Sequence, residues 1–385
     1  MTKVCILSSV HPAQDTRVFY REAKSLSSAG YDVTLIAVNE QNEIRDGINI
    51  VGLPYNPIRT RPLGWLRLLL RAIENDADIY HFHDPELLLV NPFLRFLRHK
   101  PTIYDIHEAN KDFVELKEGI PHWMVRPMSL AVGIVEPTLA ALTNGLIFAD
   151  DSIAEQFHRL KLPKITLLNF PGEDVIKKGQ LAFEQVKQKD PIVLHLGGHK
   201  KGRGVGLMID AFEKVLAKIP KAHLLLIGPF VPERLEEQVR QVIAERQLDH
   251  AITITGRVPY DELDGILRQA AVGWIPFQPM AKYQKNIPTK LFEYMAYGLP
   301  VVSSDLLPVR QFLVQGKTGF LVQAADPDFH AQALIDLLKR PESARAMGRE
   351  GQRKVQSHYN WSKMEKRLIC FYREVLNSNC PETLP

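Results

Sequence analysis

The chain has 385 residues, of which 45% are hydrophobic and 24% are charged, and its formal net charge is +4 at neutral pH. This composition is typical of a soluble globular protein, and the length predicts two or three domains. The basic excess is too small to indicate nucleic acid as a partner. The three cysteines show no CxxC spacing, which argues against a disulfide framework and against a zinc site.

The first residues, Met1 to Lys3, lead directly into a strand-like run, VCILSS. No secretory signal pattern precedes that run, and no apolar stretch approaches the roughly 20 residues that a membrane span requires. We therefore expect a cytoplasmic protein.

Strand-like apolar runs alternate with helix-like segments along the whole chain. The runs are 4–9, 33–38, 78–84, 102–108, 145–150, 165–170, 192–198, 223–229, 252–258, 272–277 and 300–305. Such near-continuous apolar runs indicate parallel sheets that are covered on both faces. The polar, lysine-rich interval 171–190 is the predicted linker. The sequence thus predicts an α/β protein with two Rossmann-like domains, 1–170 and 191–360, which face each other across a cleft.

The segment 286–305, NIPTKLFEYMAYGLPVVSSD, is the most informative part of the chain. Its pattern predicts a loop, a short helix and a buried strand, with Thr289 as N-cap and Gly298 at the end of the helix. A helix start at the carboxyl edge of a parallel sheet offers free N–H groups to a diphosphate. Glu293 lies about one turn into the helix, where its carboxylate can accept hydrogen bonds from sugar hydroxyls.

A glycine-rich turn, GGHKKGRGVG at 197–206, follows another apolar run and precedes a helix. Glycines allow a ligand to approach the backbone, and Lys200, Lys201 and Arg203 supply positive charge. The turn is either a phosphate-binding loop or a solvated basic loop.

The 286–305 segment resembles the nucleotide-binding segment of retaining glycosyltransferases of family 4, which have the two-domain GT-B fold, and the resemblance extends from about Val4 to Leu376. It implies hexosyl transfer from a UDP- or GDP-sugar to a hydroxyl acceptor in bacterial polysaccharide or glycolipid synthesis, without a metal or another cofactor. It also implies that the C-terminal helix, 361–378, packs back on the N-terminal, acceptor-side domain.

The resemblance assigns donor-binding roles to several residues. Glu293 matches the residue that binds the ribose, and the preceding loop matches the part that touches the diphosphate and the sugar: Lys285, Asn286, Ile287 and Pro288. The family usually has Glu where this chain has Lys285. Arg203 matches a basic residue that the family commonly has at the helix start, and His199 occupies roughly the place of a usual Arg. The other residues assigned to the donor are Gly198 and Lys200 in the turn, and Gly256, Arg257 and Val258 beside the base.

Catalytic roles are expected for three residues. Arg203 and Lys290 would stabilise the charge on the departing diphosphate. By resemblance, His107 borders the anomeric carbon of the donor sugar. Asp105 and Glu108 would orient His107 or nearby loops.

Polar residues after the first apolar run and at the end of the third are candidates for the acceptor side: Asp15, Arg17 and His83. Arg17 equally could form a structural salt bridge with Asp15. The several histidines and carboxylates also fit a metal site, but His81 and His83 share one strand face that Asp84 does not share. We expect no metal.

The triplet Asp76-Ala77-Asp78 resembles the metal-binding DxD of the other main glycosyltransferase fold. Here it precedes a strand rather than following one, so a metal-ligand role is not expected.

Two basic amphipathic stretches lie in the N-terminal half. Arginines from Arg59 to Arg71 alternate with leucines and Trp65, and 93–100 reads FLRFLRHK. Such stretches are typical either of helices on an anionic membrane surface or of core helices with arginines on the wet face. They favour a lipid-linked acceptor over a free glycan acceptor, and a location at the inner face of the plasma membrane.

Two other functions remain open from the sequence. A nucleotide-sugar epimerase on the same fold would release sugar without an acceptor. A catalytically silent nucleotide-sugar-binding protein is conceivable because of Lys285.

Overall fold

The structure is a computed structural model that describes residues 1–57, 60–114, 120–187, 189–259 and 262–376. The chain forms two compact units. The first unit comprises Met1–Asn169 together with Trp361–Pro385, and the second comprises Phe170–Asn360. Each unit holds one sheet that is wholly or mainly parallel, so the predicted α/β fold with two parallel sheets is confirmed.

The sheet of the first unit has eight strands in the order β3-β4-β2-β1-β5-β6-β7-β8. The short β3 is antiparallel to its neighbour, and the other described pairs are parallel. The strands are β1 Lys3–Pro12, β2 Asp32–Val38, β3 Glu43–Arg45, β4 Ile48–Leu53, β5 Ile79–Phe82, β6 Thr102–Ile106, β7 Gly145–Phe148 and β8 Lys164–Thr166. The central β1 is buried on both faces, because Val4 to Leu7 are all 0% exposed.

The sheet of the second unit has six strands in the order β11-β10-β9-β12-β13-β14, and all its pairs are parallel. The strands are β9 Ile192–Leu196, β10 His223–Ile227, β11 Ile252–Gly256, β12 Val272–Ile275, β13 Val301–Ser304 and β14 Gly319–Val322. Order reverses between β9 and β12, which is the kind of position where doubly wound sheets bind ligands at the carboxyl ends of the strands.

Helices connect the strands in both units. They are α1 Lys24–Ser28, α2 Arg61–Asn75, α3 Asn110–Phe113, α4 His122–Ala140, α5 Asp151–Ala154, α6 Glu173–Gln185, α7 Val205–Leu216, α8 Arg234–Glu245, α9 Leu263–Gln269, α10 Lys290–Ala296, α11 Leu307–Arg310, α12 Pro327–Lys339, α13 Pro341–Ser357 and α14 Trp361–Val375. A π-helical segment, Thr16–Ala23, precedes α1. Shorter turns of helix lie at Pro85–Leu89, Phe93–Leu97 and Glu155–Phe157. Among the described residues, none of these helices is both long enough and apolar enough to cross a membrane.

Each predicted apolar run contains a strand, although most strands end before the run does. The polar residues at the ends of the runs lie beyond the sheet ladder and belong to the loops. Three strands were not predicted: β3, β4 and β14. They lie toward the edges of their sheets. The sequences of β3 and β4 mix apolar with polar residues, and β14 is a run of only four residues.

The prediction that the interval 171–190 is a linker is wrong. Most of this interval is helix α6, which belongs to the second unit and buries Val175, Ile176 and Phe183. Gly179 of the helix lies so close to α10 that an added Cβ would come within 2.2 Å of the carbonyl oxygen of Ala296. The polar composition of the interval reflects the exposed face of an amphipathic helix rather than a linker.

The final described helix, α14, belongs to the first unit. Its Phe371 packs on Gly145 at the start of β7, where an added Cβ would lie 2.7 Å from the ring. The hydroxyl of Tyr372 lies 2.7 Å from Nδ1 of His81 on β5, and both side chains are buried. Residues 377 and 378 of the predicted helix lie outside the described residues.

Candidate functional site

A cavity of about 330 Å³ opens at the carboxyl edge of the second sheet. It lies beside the ends of β9 and β10 and the residues that follow β11. Its lining is Leu196, Gly197, Gly198, Arg203, Ile227, Gly228, Pro229, Arg257, Val258, Leu263, Thr289, Lys290 and Glu293. Parallel strands end together at this edge, so segments far apart in the sequence converge on one cavity.

Helix α10 carries two of the lining side chains, Lys290 at its first position and Glu293 one turn later. The predicted N-cap bond of Thr289 is wrong, because Thr289 has helical backbone angles and its side chain caps no N–H group. The helix has seven residues and ends before Gly298, whose φ of 63° is left-handed. Burial of Phe292 and Tyr294 holds this short helix against the sheet.

Lys290 is a buried cation at the cavity. It is 6% exposed, and its Nζ lies 3.4 Å from Nε2 of His195 on β9. Burial first, and then the positive charge of Arg203, hold the pKa of Lys290 well below its usual range, while Glu293 opposes the shift. Burial and the nearby Lys290 likewise lower the pKa of His195 well below its usual range. An anion in the cavity would favour the protonated form of Lys290.

Arg203 reaches the cavity from the glycine-rich turn. Its guanidinium lies over the ring of Phe277, 4.4 Å from the ring centroid, and its Nε donates a hydrogen bond to the hydroxyl of Tyr283 at 3.2 Å. These contacts orient the planar guanidinium, which limits the entropy that it loses when it binds an anion. The turn requires Gly204, whose φ is 78° and whose added Cβ would lie 2.1 Å from the carbonyl oxygen of Pro276.

Several of the predicted donor residues do not line this cavity. Gly256 ends β11 and its carbonyl accepts a hydrogen bond from the N–H of Gly228, whereas the exposed Arg257 and the adjacent Val258 do line the cavity. Lys285, Asn286, Ile287 and Pro288 form the turn that leads into α10 and are absent from the lining. Lys200 lines a neighbouring cavity of about 350 Å³.

His199 also differs from its predicted place in the donor site. It is 0% exposed, and its ring stacks on Phe230 at a centroid distance of 4.4 Å. Neither ring nitrogen has a hydrogen-bond partner among the described residues. Burial, followed by the charges of Lys290 and Arg203, lowers the pKa of His199 to about 3, so the ring is neutral at physiological pH. His199 therefore packs the turn and does not replace the usual Arg as a cation.

The first unit contains a buried charge cluster at the carboxyl ends of β5 and β6. Arg17 donates two hydrogen bonds to Asp105, from Nε at 2.9 Å and from Nη2 at 3.0 Å. Its Nη1 donates to the carbonyl of Leu167 and to the side chain of Asn169. Since Arg17 is 4% exposed and engaged in these bonds, its burial does not fit the acceptor-facing role that was predicted.

Glu22 completes this cluster. Its Oε1 lies 2.9 Å from Nε of Arg17, and the residue is 0% exposed. Burial and the negative charge of Asp105 raise the pKa of Glu22 well above its usual range. Burial alone would also raise the pKa of Asp105, but the charge of Arg17 prevails and holds it well below its usual range. Of the two carboxyl groups, Glu22 is therefore the one whose protonated form is favoured.

His107 follows β6 and lies beside this cluster. Its Nε2 is 3.0 Å from Nδ1 of His83 and 3.5 Å from Oδ2 of Asp105, and 19% of its side chain is exposed. His83 is 2% exposed, and burial lowers its pKa to about 4. The predicted acceptor-side residue His83 thus orients His107 from inside the unit. Sequence reasoning correctly placed His81 and His83 on one face, since their rings are 4.5 Å apart.

The carboxylates of Asp15 and Asp84 accept hydrogen bonds from other residues of the first unit. Asp15 is the N-cap of the π-helical segment and accepts from the N–H groups of Arg17 and Val18. Asp84 accepts from the hydroxyl of Ser8, and its Oδ1 lies 3.0 Å from Nδ1 of His11. The alternative that Arg17 pairs with Asp15 through its side chain is replaced by its pair with Asp105.

One group of side chains among the described residues could hold a metal ion: Glu22, His81, His83 and Asp105, each with one donor atom, all within 4.8 Å of one another. Two imidazoles and two carboxylates are suitable ligands for zinc. However, Arg17 Nε lies 2.9 Å from an oxygen of each carboxylate and already supplies positive charge there. Asp76 and Asp78 lie elsewhere, where Asp76 pairs with Arg98 and Asp78 accepts from the N–H of Lys3.

Sequence reasoning missed His195, Phe277 and Tyr283 in the second unit, and Glu22 in the first. Tyr283 had a local signal, because it lies in the same loop as the Lys285 to Pro288 turn. Glu22 and His195 had none, since each lies within a helical or strand pattern and its partners are distant in the sequence.

Models of known protein families match the sequences of both units. The model described as Glycosyltransferase Family 4 matches residues 16–169, and the model described as Glycosyl transferases group 1 matches residues 177–354. The chain belongs to glycosyltransferase family 4. It is accordingly a glycosyltransferase, and the expected family is confirmed.

Relatives of this glycosyltransferase are similar over most of its length. The phosphatidyl-myo-inositol mannosyltransferase of Mycolicibacterium smegmatis is 23% identical over 364 residues, which cover 92% of this chain and 88% of that protein. The structure of sucrose-phosphate synthase from Thermosynechococcus elongatus matches this one with a TM-score of 0.78 at 18% identity. The match covers 98% of this chain and 100% of the synthase chain. Anabaena HepE in complex with UDP-glucose has a TM-score of 0.71 at 13% identity, with 96% of this chain and 98% of HepE covered. These structures confirm the GT-B fold.

Proposed function

We propose that this family 4 glycosyltransferase transfers a hexosyl group from a UDP- or GDP-sugar to a hydroxyl of a glycan or lipid-linked acceptor, with retention of configuration and without a metal. The observation that carries the proposal is the cavity at the carboxyl edge of the second sheet. It combines Arg203 and Lys290 with the carboxylate of Glu293. Two cations suit a diphosphate, and a carboxylate suits the hydroxyl pair of a ribose.

Charge favours a diphosphate in this cavity rather than a neutral ligand. Lys290 is buried next to Arg203, and the unfavourable proximity of two cations is relieved when a dianion binds between or beside them. The complex of HepE with UDP-glucose shows that a GT-B protein of similar fold binds a nucleotide-sugar. Support for a glycolipid product comes from the mannosyltransferase relative, whose name specifies a phosphatidyl-myo-inositol acceptor.

The proposed chemical step needs no enzyme carboxylate as a nucleophile. The bond between the anomeric carbon and the diphosphate oxygen breaks, and the acceptor oxygen bonds to the same face of that carbon. The acceptor proton passes to the departing phosphate oxygen. Arg203 and Lys290 stabilise the negative charge that develops on the diphosphate, because they are positioned before the reaction begins. By family resemblance, His107 contacts the transferred sugar, oriented by Asp105 and His83.

The proposed location of the enzyme is an anionic membrane surface, the inner face of the plasma membrane. In helix α2 the leucines Leu63, Leu66 and Leu70 are more than half exposed, and the side chains of Arg67 and Arg71 are exposed beside them. Leucines with adjacent arginines suit the interface of a bilayer that contains acidic lipids. Arg59 of the predicted basic stretch lies outside the described residues.

A thermal-shift panel of UDP-, GDP- and ADP-sugars tests the donor. Ligands that bind the folded state raise the melting temperature by mass action, so one base class should stabilise the protein. Arg203→Ala should abolish that shift, whereas Lys178→Ala, which removes an exposed lysine of helix α6 outside the cavity, should retain it. The absence of stabilisation by every nucleotide-sugar would contradict the proposal.

Turnover separates the alternatives. Transfer to a lipid-linked or glycan hydroxyl, with the anomeric configuration of the product retained by NMR, would support the proposal. Release of free sugar without an acceptor would identify an epimerase, and tight donor binding without turnover across an acceptor panel would identify a silent binder.

A further inference from the structure

A second cavity in the second unit has no role in the proposed reaction. It has a volume of about 870 Å³ and lies beside the residues that immediately precede three strands: Pro191 before β9, Ala271 before β12 and Pro300 before β13. It therefore lies at the amino edge of the sheet. The donor cavity lies at the carboxyl edge of the same sheet, so the two cavities are separate.

The charge around this cavity is strongly unbalanced. Its cationic lining residues are Lys187, Lys189, Lys218, Lys221, Lys339 and Arg345. Among the described residues of the lining, Glu342 is the one that is acidic. The whole chain has an excess of only four positive charges, so this cavity concentrates more positive charge than the net charge of the entire protein. A concave surface with one sign of charge raises the local concentration of the opposite ion.

These lysines are not neutralised by the protein. None of the five lysine side chains has a hydrogen bond or a salt bridge to another residue in the described part of the chain. The dipoles of helices α7 and α12 favour positive charge near their carboxyl ends, where Lys218 and Lys339 lie. That effect does not account for Lys189, which lies outside any helix. Burial first, and then the charge of Arg345, lower the pKa of Lys189 to about 7. The positive charges of this cluster therefore repel one another, and a bound anion would reduce that repulsion.

Arg345 gives the cavity a fixed donor. Its Nη1 donates to the carbonyl of Val186 at 2.8 Å and its Nη2 to the carbonyl of Phe183 at 2.6 Å. The guanidinium also lies 4.1 Å from the centroid of the Phe183 ring. Arg345 is the fifth residue of helix α13, and Pro341 and Glu342 of the first turn also line the cavity, so the amino end of a 17-residue helix adds positive potential there.

The remaining wall is apolar. Phe183, Ile219, Leu337 and Leu338 line the cavity, and nonpolar atoms account for most of its exposed surface. Its volume lies within the range of sites that take small organic ligands. A ligand that fits both parts of the lining carries more than one negative charge and an organic portion.

We infer that this cavity, at the amino edge of the second sheet, is a binding site for a small phosphate-bearing compound, held by Lys189, Lys218, Lys221 and Arg345. The phosphate belongs either to a free metabolite or to a lipid headgroup. Lys218 and Lys221 are exposed at the rim, where they attract the anion, and Lys189 and Arg345 lie deeper. This inference is independent of the proposed donor and acceptor.

Titration calorimetry with pyrophosphate tests the site on the full chain. The variant Lys218→Glu/Lys221→Glu reverses two exposed charges and should weaken pyrophosphate binding by at least about tenfold, since each charged contact contributes more than a neutral one. The matched control Lys178→Glu/Lys317→Glu reverses two exposed lysines outside the cavities described here and should bind as the wild type does. Equal affinities for the two double variants would overturn the inference.

A second measurement uses sulfate, which keeps two negative charges across the pH range. Binding should weaken from about pH 6 to about pH 8, because Lys189 loses its proton in that range. Lys189→Met should bind sulfate more weakly and without this pH dependence. Sulfate binding that is unaffected by Lys189→Met would overturn the assignment of Lys189.

Vesicles distinguish the two sources of phosphate. The wild type and the Lys218→Glu/Lys221→Glu variant are pelleted with vesicles of phosphatidylcholine alone or mixed with phosphatidic acid. A loss of vesicle binding in this variant, but not in the control, identifies a lipid headgroup. Loss of pyrophosphate binding alone identifies a free phosphate compound. Nucleotide-sugar binding at the other edge of the sheet should be unchanged in both variants, which separates this test from that of the proposed function.

Discussion

Nζ of Lys290 lies 3.4 Å from Nε2 of His195, and both side chains are buried in the second unit. The pair holds no fixed negative charge between its nitrogens, and burial lowers the pKa of each. Protonation of either group is therefore disfavoured until an anion such as a diphosphate binds nearby. This relationship makes the protonation of Lys290 a measurable part of donor binding.

Affinity for a nucleoside diphosphate should fall as pH rises. The free protein holds the pKa of Lys290 below its ordinary value, and the bound diphosphate favours the protonated lysine, so binding takes up a proton. Calorimetry between about pH 7.5 and 9.5, where the phosphate groups are fully ionised, should show weaker binding at higher pH. Lys290→Met should bind more weakly and lose most of this dependence. An identical pH profile in Lys290→Met would show that another group titrates.

Glu293→Ala should weaken binding of the donor or of its nucleoside diphosphate by about 1.5–3 kcal/mol, which is the range for lost charged hydrogen bonds. The reason is its position on α10, facing the cavity with Lys290 and Arg203. Calorimetry gives the affinity, and the melting temperature of the free variant checks its fold. Glu262→Ala, which replaces another glutamate of the same unit outside that cavity lining, is the matched control. Unchanged affinity in a folded Glu293→Ala protein would remove Glu293 from the donor site.

His107→Ala should lower kcat by about 10²-fold or more and leave nucleotide affinity within a few-fold, as expected for a contact made mainly in the transition state. The partly exposed His107 is held by His83 and Asp105 at the end of β6. The exposed His158 of the same unit supplies the control variant His158→Ala. Wild-type turnover in His107→Ala would mean that His107 is structural, and equal losses in binding and rate would place it on the nucleotide.

Transfer should continue in excess EDTA, because Arg203 and Lys290 can neutralise the diphosphate without a divalent cation. Activity before and after chelation, with magnesium or manganese added back, is the measurement. Activity that disappears and returns only with a metal would contradict the expectation. In that event, variants of Asp76 and of Glu22 would show which carboxylates are involved.

Leu66→Glu/Leu70→Glu should reduce binding to anionic vesicles by at least about tenfold, since burial of each leucine at the interface contributes on the order of 1.5–3 kcal/mol. Both leucines are exposed on α2, so the change should leave the melting temperature nearly unaltered. Co-sedimentation measures binding, and Leu181→Glu, at an exposed leucine of the second unit, is the control. Equal sedimentation of the two proteins would argue that α2 does not touch the membrane.

The sequence predicted the strands well because a buried parallel strand is an uninterrupted apolar run. It also placed Arg203, Lys290 and Glu293 at one site, since each follows the end of a strand and such ends share one edge of the sheet. The edge strands and helix α6 were missed or misassigned because their exposed faces dilute the apolar pattern.

Side-chain direction could not be predicted in the same way. His199 and Arg203 belong to one glycine-rich turn, yet one packs inward on Phe230 and the other lines the cavity. The partners of Arg17 were equally inaccessible, because Asp105 is 88 residues away in the sequence. Contacts of that kind depend on strand order and on rotamers, which a local pattern does not encode.

The hydrogen bond between His81 and Tyr372 spans 291 residues of sequence. During synthesis the amino-terminal strands leave the ribosome long before the helix that covers β5 and β7. The second unit, a continuous segment, has all its parts while the first still lacks its last helix. We therefore expect the later-made unit to complete its fold first and the earlier-made one to wait, with its apolar β5 and β7 surface exposed to chaperones until helix α14 has been made.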